Sequence, residues 1–347
     1  MIDFFLSVLF NLFLKLNKFR VAFMKDLLRI NMKFLFISPR FSGGIGGHAS
    51  MLAHQLETLG HEVTKMQIPH IPIKNLKNPS FALFGSLKGI MSREHFDIVH
   101  AFNVPSAFAM HYAKGQKKVL SIHGVFSEQV KAIHSSSTSS IATIVESKVL
   151  KWADELTTDS KTSQSIYKKK LCFDFVYLPS PIDTEMFKQI PKIPKSHDQI
   201  AYVGRDSFEK GIDILEQIES KINGNVVYCV DKSWKETMKI MKSSKLLIVP
   251  SRMESLPTVI KEAFYMKIPV IATNVGGIPE LIQDNYTGLL VESENPQMLL
   301  EKINYLLSDS LLQEELSSNA YDFVMNNFTW KTILPHYVDF YKNLLKS

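Results

Sequence analysis

Glu254 and Glu262, eight positions apart, lie in the stretch KLLIVPSRMESLPTVIKEAFYMKIPVIATNVGGIPEL that runs from Lys245 to Leu281. On a helix that spacing is about two turns. The two acids are too far apart to share one proton-transfer site, but each can grip a separate polyol. A buried strand is expected to end at Pro250–Ser251, with Glu254 and Ser255 in the turn that follows and a helix starting near Pro257. Proline suits a first helical turn because its missing N–H would have no partner there. A helix start gathers unpaired N–H groups and partial positive charge, so Ser255, Leu256 and Pro257 mark an anion site. Gly276 and Gly277 offer a second turn of exposed backbone. The plain alternative is a capping Glu254 and a solvated Glu262.

Three more stretches carry residue types suited to an anion. In AYVGRDSFEKGID, residues 201–213, Arg205 and Lys210 flank a turn just past a strand end. A guanidinium binds phosphate through two N–H groups and an ammonium acts as a point charge. Read alone, the stretch leans slightly toward the plain alternative of two exposed surface cations. In SGGIGGHA, residues 42–49, glycines including Gly46 and Gly47 let backbone amides approach a phosphate. Gly44, Gly46 and Ala49 fit an alanine-ended dinucleotide fingerprint only loosely. The acid expected about 20 residues on, to hold a ribose, is replaced by Lys65, Gln67 and His70. In SIHGVF, residues 121–126, His123 falls at a strand end with no second base or nucleophile beside it in sequence.

The elements that must position these residues follow a strand–helix alternation, the pattern of parallel βαβ units. Apolar runs predict strands at 33–38, 62–68, 97–102, 118–122, 155–158 and 175–178. Ala49, Leu52, Ala53, Leu56 and Leu59 recur at helical spacing. The SSSTSS run at Ser135–Ser140 reads as a mobile loop. Pro179–Pro181 and Pro191–Lys195 form a proline- and lysine-rich joint, after which strands are predicted at 199–203, 225–230, 245–249, 269–273 and 288–291. Trp330, Ile333, Tyr337, Val338 and Tyr341 predict an apolar-faced helix over 329–345. The expected organisation is an extension at 1–31, an α/β domain at 32–185, a second at 186–328 and a terminal helix at 329–347. Inter-domain clefts are favoured ligand sites.

A chain of 347 residues can bury two cores without metals or disulfides. Its two cysteines, Cys172 and Cys229, show no metal or pair spacing, which points to a reducing, cytoplasmic compartment. The net charge of +6 suits an anionic partner, nucleotide phosphates or an acidic membrane surface; no recognition-helix or RNA-sheet motif supports nucleic acid. The run FFLSVLFNLFL, Phe4–Leu14, is shorter than a membrane span needs and is followed by Lys15, Lys18 and Arg20. Two readings stand: an interfacial anchor at the cytoplasmic face of a membrane, or a working start at Met32.

Together, in this order and spacing, the four stretches resemble glycosyltransferase family 4 of the GT-B superfamily, from about Met32 to the C-terminus. The most specific part is Glu254-x7-Glu262 followed by PVIATNVGGIPEL. The resemblance implies two Rossmann-like domains facing each other across a cleft, with the last helix crossing back onto the first. It implies a nucleotide-diphosphate sugar as donor, transfer with retention of configuration, no bound metal and no other cofactor. Arg205 and Lys210 would neutralise the diphosphate, Glu262 would bind ribose hydroxyls, and Glu254 would contact the sugar near the reacting carbon. Backbone N–H groups around Ser255–Pro257 and Gly276–Ile278 would hold sugar or phosphate, Gly46 and Gly47 would approach from the first domain, and His123 would orient sugar or acceptor. The acceptor, a glycan or lipid, is not legible. The family's Pro-Asn-Gly-Val-Asp is here Pro179-Ser180-Pro181-Ile182-Asp183, and 211–245 has room for one fewer βα unit, which leaves the donor base open. An epimerase or a non-catalytic nucleotide-sugar binder are the rival readings.

Overall fold

The structure, a computed structural model, describes residues 31–347 apart from 42, 70, 72, 74–76, 126–135 and 197. The readings placed on residues 1–30, Ser42, Ser135 and Phe126 therefore lie outside the described residues.

Two wholly parallel sheets make up the chain. The first has the order β2-β1-β3-β4-β5-β6, formed by Lys33–Ser38 (β1), Glu62–Gln67 (β2), His95–Phe102 (β3), Lys114–Ile122 (β4), Glu155–Thr158 (β5) and Val176–Tyr177 (β6). The second has the order β11-β10-β9-β7-β8, formed by Gln199–Val203 (β7), Asn225–Cys229 (β8), Leu246–Val249 (β9), Val270–Thr273 (β10) and Leu289–Val291 (β11). Every strand expected from the sequence is present, with ends shifted by a few residues.

Strands buried on both faces explain the continuous apolar runs. In β1, Leu35 and Ile37 enter one core while Phe34 and Phe36 enter the core on the other face. In β9, Leu247 and Val249 face one way, Leu246 and Ile248 the other. Helices pack on both faces of each sheet and bury the strands' side chains in four apolar clusters.

Two sequence expectations are corrected. Ser136–Ser140 is not a loop but opens the helix Ser136–Leu150, because the residues that follow carry it: Ala142, Val149 and Leu150 are buried at helical spacing. The glycine loop after β1 is also shorter than expected. The helix begins at Gly44 and runs to Thr58, so Gly46 and Gly47 occupy its first turn.

The last helix, Trp330–Lys346, contains Pro335 and packs on the first sheet. Trp330, Ile333, Tyr337, Val338, Tyr341 and Leu344 share a core with Phe34, Phe36 and the Gly44–Thr58 helix. Two tyrosines pin it there. The Tyr341 hydroxyl meets His100 Nδ1 at 2.8 Å, and Tyr337 donates to the Leu178 carbonyl at 3.1 Å. The chain thus crosses between domains twice, and the crossings touch: Ile182 N–H donates to the Phe328 carbonyl at 2.9 Å.

Candidate active site

Loops leaving the C-terminal ends of strands are where parallel sheets bind ligands. In the second domain three such loops meet, from the adjacent strands β7, β9 and β10. Glycines let them touch. Gly211 has φ +66, and a Cβ there would lie 2.0 Å from the Pro250 carbonyl oxygen. Gly276 has φ +53, and its Cβ would fall 1.9 Å from the Glu254 oxygen. A Cβ on Gly277 would meet the Ser255 oxygen at 1.9 Å. A side chain at any of the three collides with backbone, so the loops carrying Lys210, Glu254 and Gly276 are pressed into one surface.

Arg252 fastens that surface from outside. Its guanidinium takes both oxygens of Asp213, at 2.7 and 2.8 Å, pairs with Glu294 and lies 4.1 Å from the centre of the Phe208 ring. Hydrogen bonds from Arg252 hold the Asp213 carboxyl below the usual carboxylate range. The sequence reading passed over this residue. Its engagement with protein groups makes it a structural cation.

Lys210 and Glu254 are brought together. Lys210 Nζ lies 2.7 Å from Glu254 Oε1, which also accepts from the Ser251 hydroxyl at 2.8 Å. The Glu254 side chain is 9% exposed and that of Lys210 23%. Arg205 is on the same loop but not in the same contact. Its guanidinium pairs with Glu209 at 2.9 Å and is 70% exposed. The side chains of Ser255 and Glu254 begin the turn, Leu256 is buried in the core, and Pro257 is the residue before the helix Thr258–Tyr265 rather than inside its first turn. Leu256 therefore anchors the loop through its side chain in the core, and Pro257 through its fixed backbone.

Glu262, one face further along that helix, accepts from the Trp234 indole N–H at 2.7 Å. Desolvation pushes its carboxyl up to about 7, against the pull of Trp234 and Lys261. Lys261, beside it, is wholly buried and donates to the Ser180 carbonyl at 2.5 Å; burial lowers its ammonium to about 8. Neither Trp234 nor Lys261 was singled out from sequence, because an indole and a lysine carry no motif spacing.

On the first-domain side, the Gly44–Thr58 helix points its N-terminus out of the end of β1. Gly46 is buried there and a Cβ would fall 2.0 Å from the Arg40 carbonyl oxygen, so its lack of side chain is a packing need as much as an access for ligand. Gly47 donates to the Gly43 carbonyl inside the helix. His123 is not alone, contrary to the sequence reading. Its Nδ1 stands 3.1 Å from Asp159 Oδ2, and the His48 ring lies 5.6 Å away. Asp159 in turn accepts from the Ser255 hydroxyl of the second domain. The partnership was legible in principle: Ile122 pairs with Thr158 across β4 and β5, so the next residues on each strand emerge side by side.

A cavity of about 980 Å³ also opens beside the crossing segments, lined among others by Tyr177, Pro179, Phe328, His336 and Phe340. None of the donor-binding residues expected from sequence lines it, and charge chemistry favours the loop surface as the site. Among the described residues there is no cluster of three or more metal-ligating side chains, and no helix is long and apolar enough to cross a membrane.

Comparison with known proteins shows the family and the fold. The family model described as "Glycosyltransferase Family 4" matches residues 42–186, and "Glycosyl transferases group 1" matches residues 215–323. An uncharacterized glycosyltransferase of Methanocaldococcus jannaschii is 24% identical, covering 88% of this chain and 95% of its own. Among solved structures, sucrose-phosphate synthase from Thermosynechococcus elongatus superposes with a TM-score of 0.76 at 17% identity, over 91% of this chain and all of that one. Anabaena HepE in complex with UDP-glucose gives 0.65 at 17% identity, over 90% of this chain and all of that one.

Proposed function

The chain is a glycosyltransferase family 4-like protein with the GT-B fold, and from that premise we propose that it moves a sugar from a nucleotide-diphosphate donor to a glycan or lipid acceptor, with retention of configuration and without a metal. The observation that carries the reading is the Lys210–Glu254 pair, an ammonium and a carboxylate 2.7 Å apart where two neighbouring strands end. A sugar diphosphate presents the complement of that pair: phosphate oxygens for the ammonium and hydroxyls for the carboxylate. Each charged group then exchanges its protein partner for a substrate one. The bound UDP-glucose of HepE, on the same fold, supports a nucleotide sugar as the ligand class.

Breaking the sugar–phosphate bond builds negative charge on the leaving diphosphate. Lys210, the backbone N–H groups of Ser255, Leu256, Gly276 and Gly277, and the N-terminus of the Gly44–Thr58 helix are the fixed positive ends that would stabilise it, with Gly46 and Gly47 in that helix's first turn. Arg205 swings from Glu209 to the same diphosphate. Glu262 takes the ribose hydroxyls, and His123 orients the sugar or acceptor. An apolar, basic extension at 1–31 fits peripheral attachment to the cytoplasmic face of a membrane, which favours a membrane-borne acceptor.

Calorimetric titration with UDP-, GDP- and ADP-sugars, followed by incubation of the bound donor with membrane lipid extract, tests this. One nucleotide sugar is expected to bind, and its sugar to pass to a lipid or glycan product. Binding of none of them overturns the donor reading. Release of free sugar alone, with every acceptor fraction supplied, overturns the transfer step.

A further inference from the structure

An imidazole that orients a substrate must itself be held, and the hydrogen bond at one ring nitrogen decides what the other can do. Asp159 and His123 leave neighbouring strands at the same level, and both side chains are nearly sealed from water, at 4% and 10% exposure. Burial by itself would raise the Asp159 carboxyl, yet His123, the Ser255 hydroxyl and Lys261 outweigh it and hold the group below the ordinary carboxylate range. An ionised carboxylate only accepts, so the proton of the His123–Asp159 contact belongs to His123 Nδ1.

The other oxygen of Asp159 reaches across the cleft. Ser255 Oγ donates to Oδ1 at 2.5 Å, from the turn between Glu254 and the Thr258–Tyr265 helix. The residues after Asp159 meet the same domain. The Glu280 carboxylate accepts from the Lys161 and Thr162 backbone N–H groups, at 2.9 and 2.8 Å, and so caps the helix Lys161–Ile166 of the opposite domain. A Cβ on Gly277 would come within 3.1 Å of the Ser160 Cβ. Residues 159–162 are therefore docked against two donor-side turns, 254–257 and 277–280, and Asp159 also touches His123.

We propose that Asp159 is an interdomain positioning residue, which fixes the His123 ring through one oxygen while its other oxygen is fixed by the Ser255 hydroxyl of the opposite domain. The orientation of His123 then depends on closure of the two domains. When the second domain swings away, the Ser255 hydroxyl leaves Oδ1, the Asp159 carboxylate is freer to turn, and the imidazole that it holds through Oδ2 is less firmly fixed. The use made of this coupling rests on the glycosyl-transfer reading, but the coupling itself does not.

Nitrogen-15 NMR of the histidine rings in the full chain tests it without donor or acceptor, the His123 signals being assigned by their loss in His123→Gln. The wild type is expected to show His123 as a single species protonated at Nδ1. Asp159→Ala is expected to lose that species in favour of a mixture. Ser255→Ala, which removes only a hydroxyl and guards against misfolding of the first variant, is expected to shift the His123 Nδ1 signal and populate the second tautomer. An unchanged His123 in Asp159→Ala overturns the positioning role. An unchanged His123 in Ser255→Ala overturns the coupling between domains. Failure of the donor reading shows instead as absent nucleotide-sugar binding with these ring signals as expected.

Discussion

In the first domain a chain of polar side chains is held together and kept from water, whereas in the second the cations Lys210 and Arg205 stand partly open. His100 runs between Tyr341 and Ser121, and Ser121 continues to Thr157, all buried; burial lowers the His100 ring to about 3, so it stays neutral. Lys210 and Arg205 of the second domain keep part or most of their surface open and pair with single carboxylates. A buried polar chain fixes position, since each lost bond leaves an unsatisfied group. A half-open ion pair exchanges partners at low cost. The first domain is built to hold a geometry and the second to receive charge.

The most severe way to break this contrast is to part the donor-side loops. Gly276→Ala forces a Cβ against the Glu254 carbonyl at a positive φ, and is expected to weaken nucleotide-sugar binding at least about a hundredfold, about 2.8 kcal/mol. Calorimetry and a thermal melt of the same sample check it; near-normal affinity would mean that the loops need not touch. Next comes Lys210→Ala, expected to cut turnover at least tenfold, ~1.4 kcal/mol of barrier, with the melt little changed. Steady-state rates at saturating donor measure it, and an unaltered rate removes Lys210 from the chemistry.

A finer test lies in pH. The Glu262 carboxyl, raised by burial to about 7, is neutral below that value and accepts ribose hydroxyls best above it. Donor affinity is therefore expected to rise as pH passes through about 7, and Glu262→Gln to flatten the profile. Stability moves the opposite way. A raised carboxyl contributes in full below its ordinary 4.5 and loses that contribution as pH climbs through about 7, so melts of the wild type against Glu262→Gln should converge differently on the two sides of that window. The smallest effect is expected of Arg205→Ala. An exposed pair with Glu209 contributes within about 0.5 kcal/mol to folding, so the melt should stay put while diphosphate affinity drops by less than in Lys210→Ala. Equal losses would place both cations in one contact.

What could be read from the residues follows the same division. Strands buried on both faces announce themselves as apolar runs, and the Glu254–Glu262 stretch lies on a strand end and helix start whose local chemistry is written in sequence. The packing of glycines 211, 276 and 277 against distant carbonyls is not, because a glycine in a motif looks alike whether it serves a ligand or a neighbouring loop. Asp159 was missed because 36 residues separate it from His123 and only strand register unites them. Ser136–Ser140 misled because serine favours loops locally, while the buried residues further along decide for a helix.

The helix Trp330–Lys346 belongs to the first core although it follows the second domain in the chain, and Ile182 lies against Phe328 where the chain departs and returns. The second domain is thus an insertion whose two ends leave from one point. A ribosome finishes it before the first domain has its closing wall, so a stop codon near 329 would ruin the earlier half of the protein and spare the later one. For the same reason residues 182–328, their ends joined, are the fragment to excise for study alone.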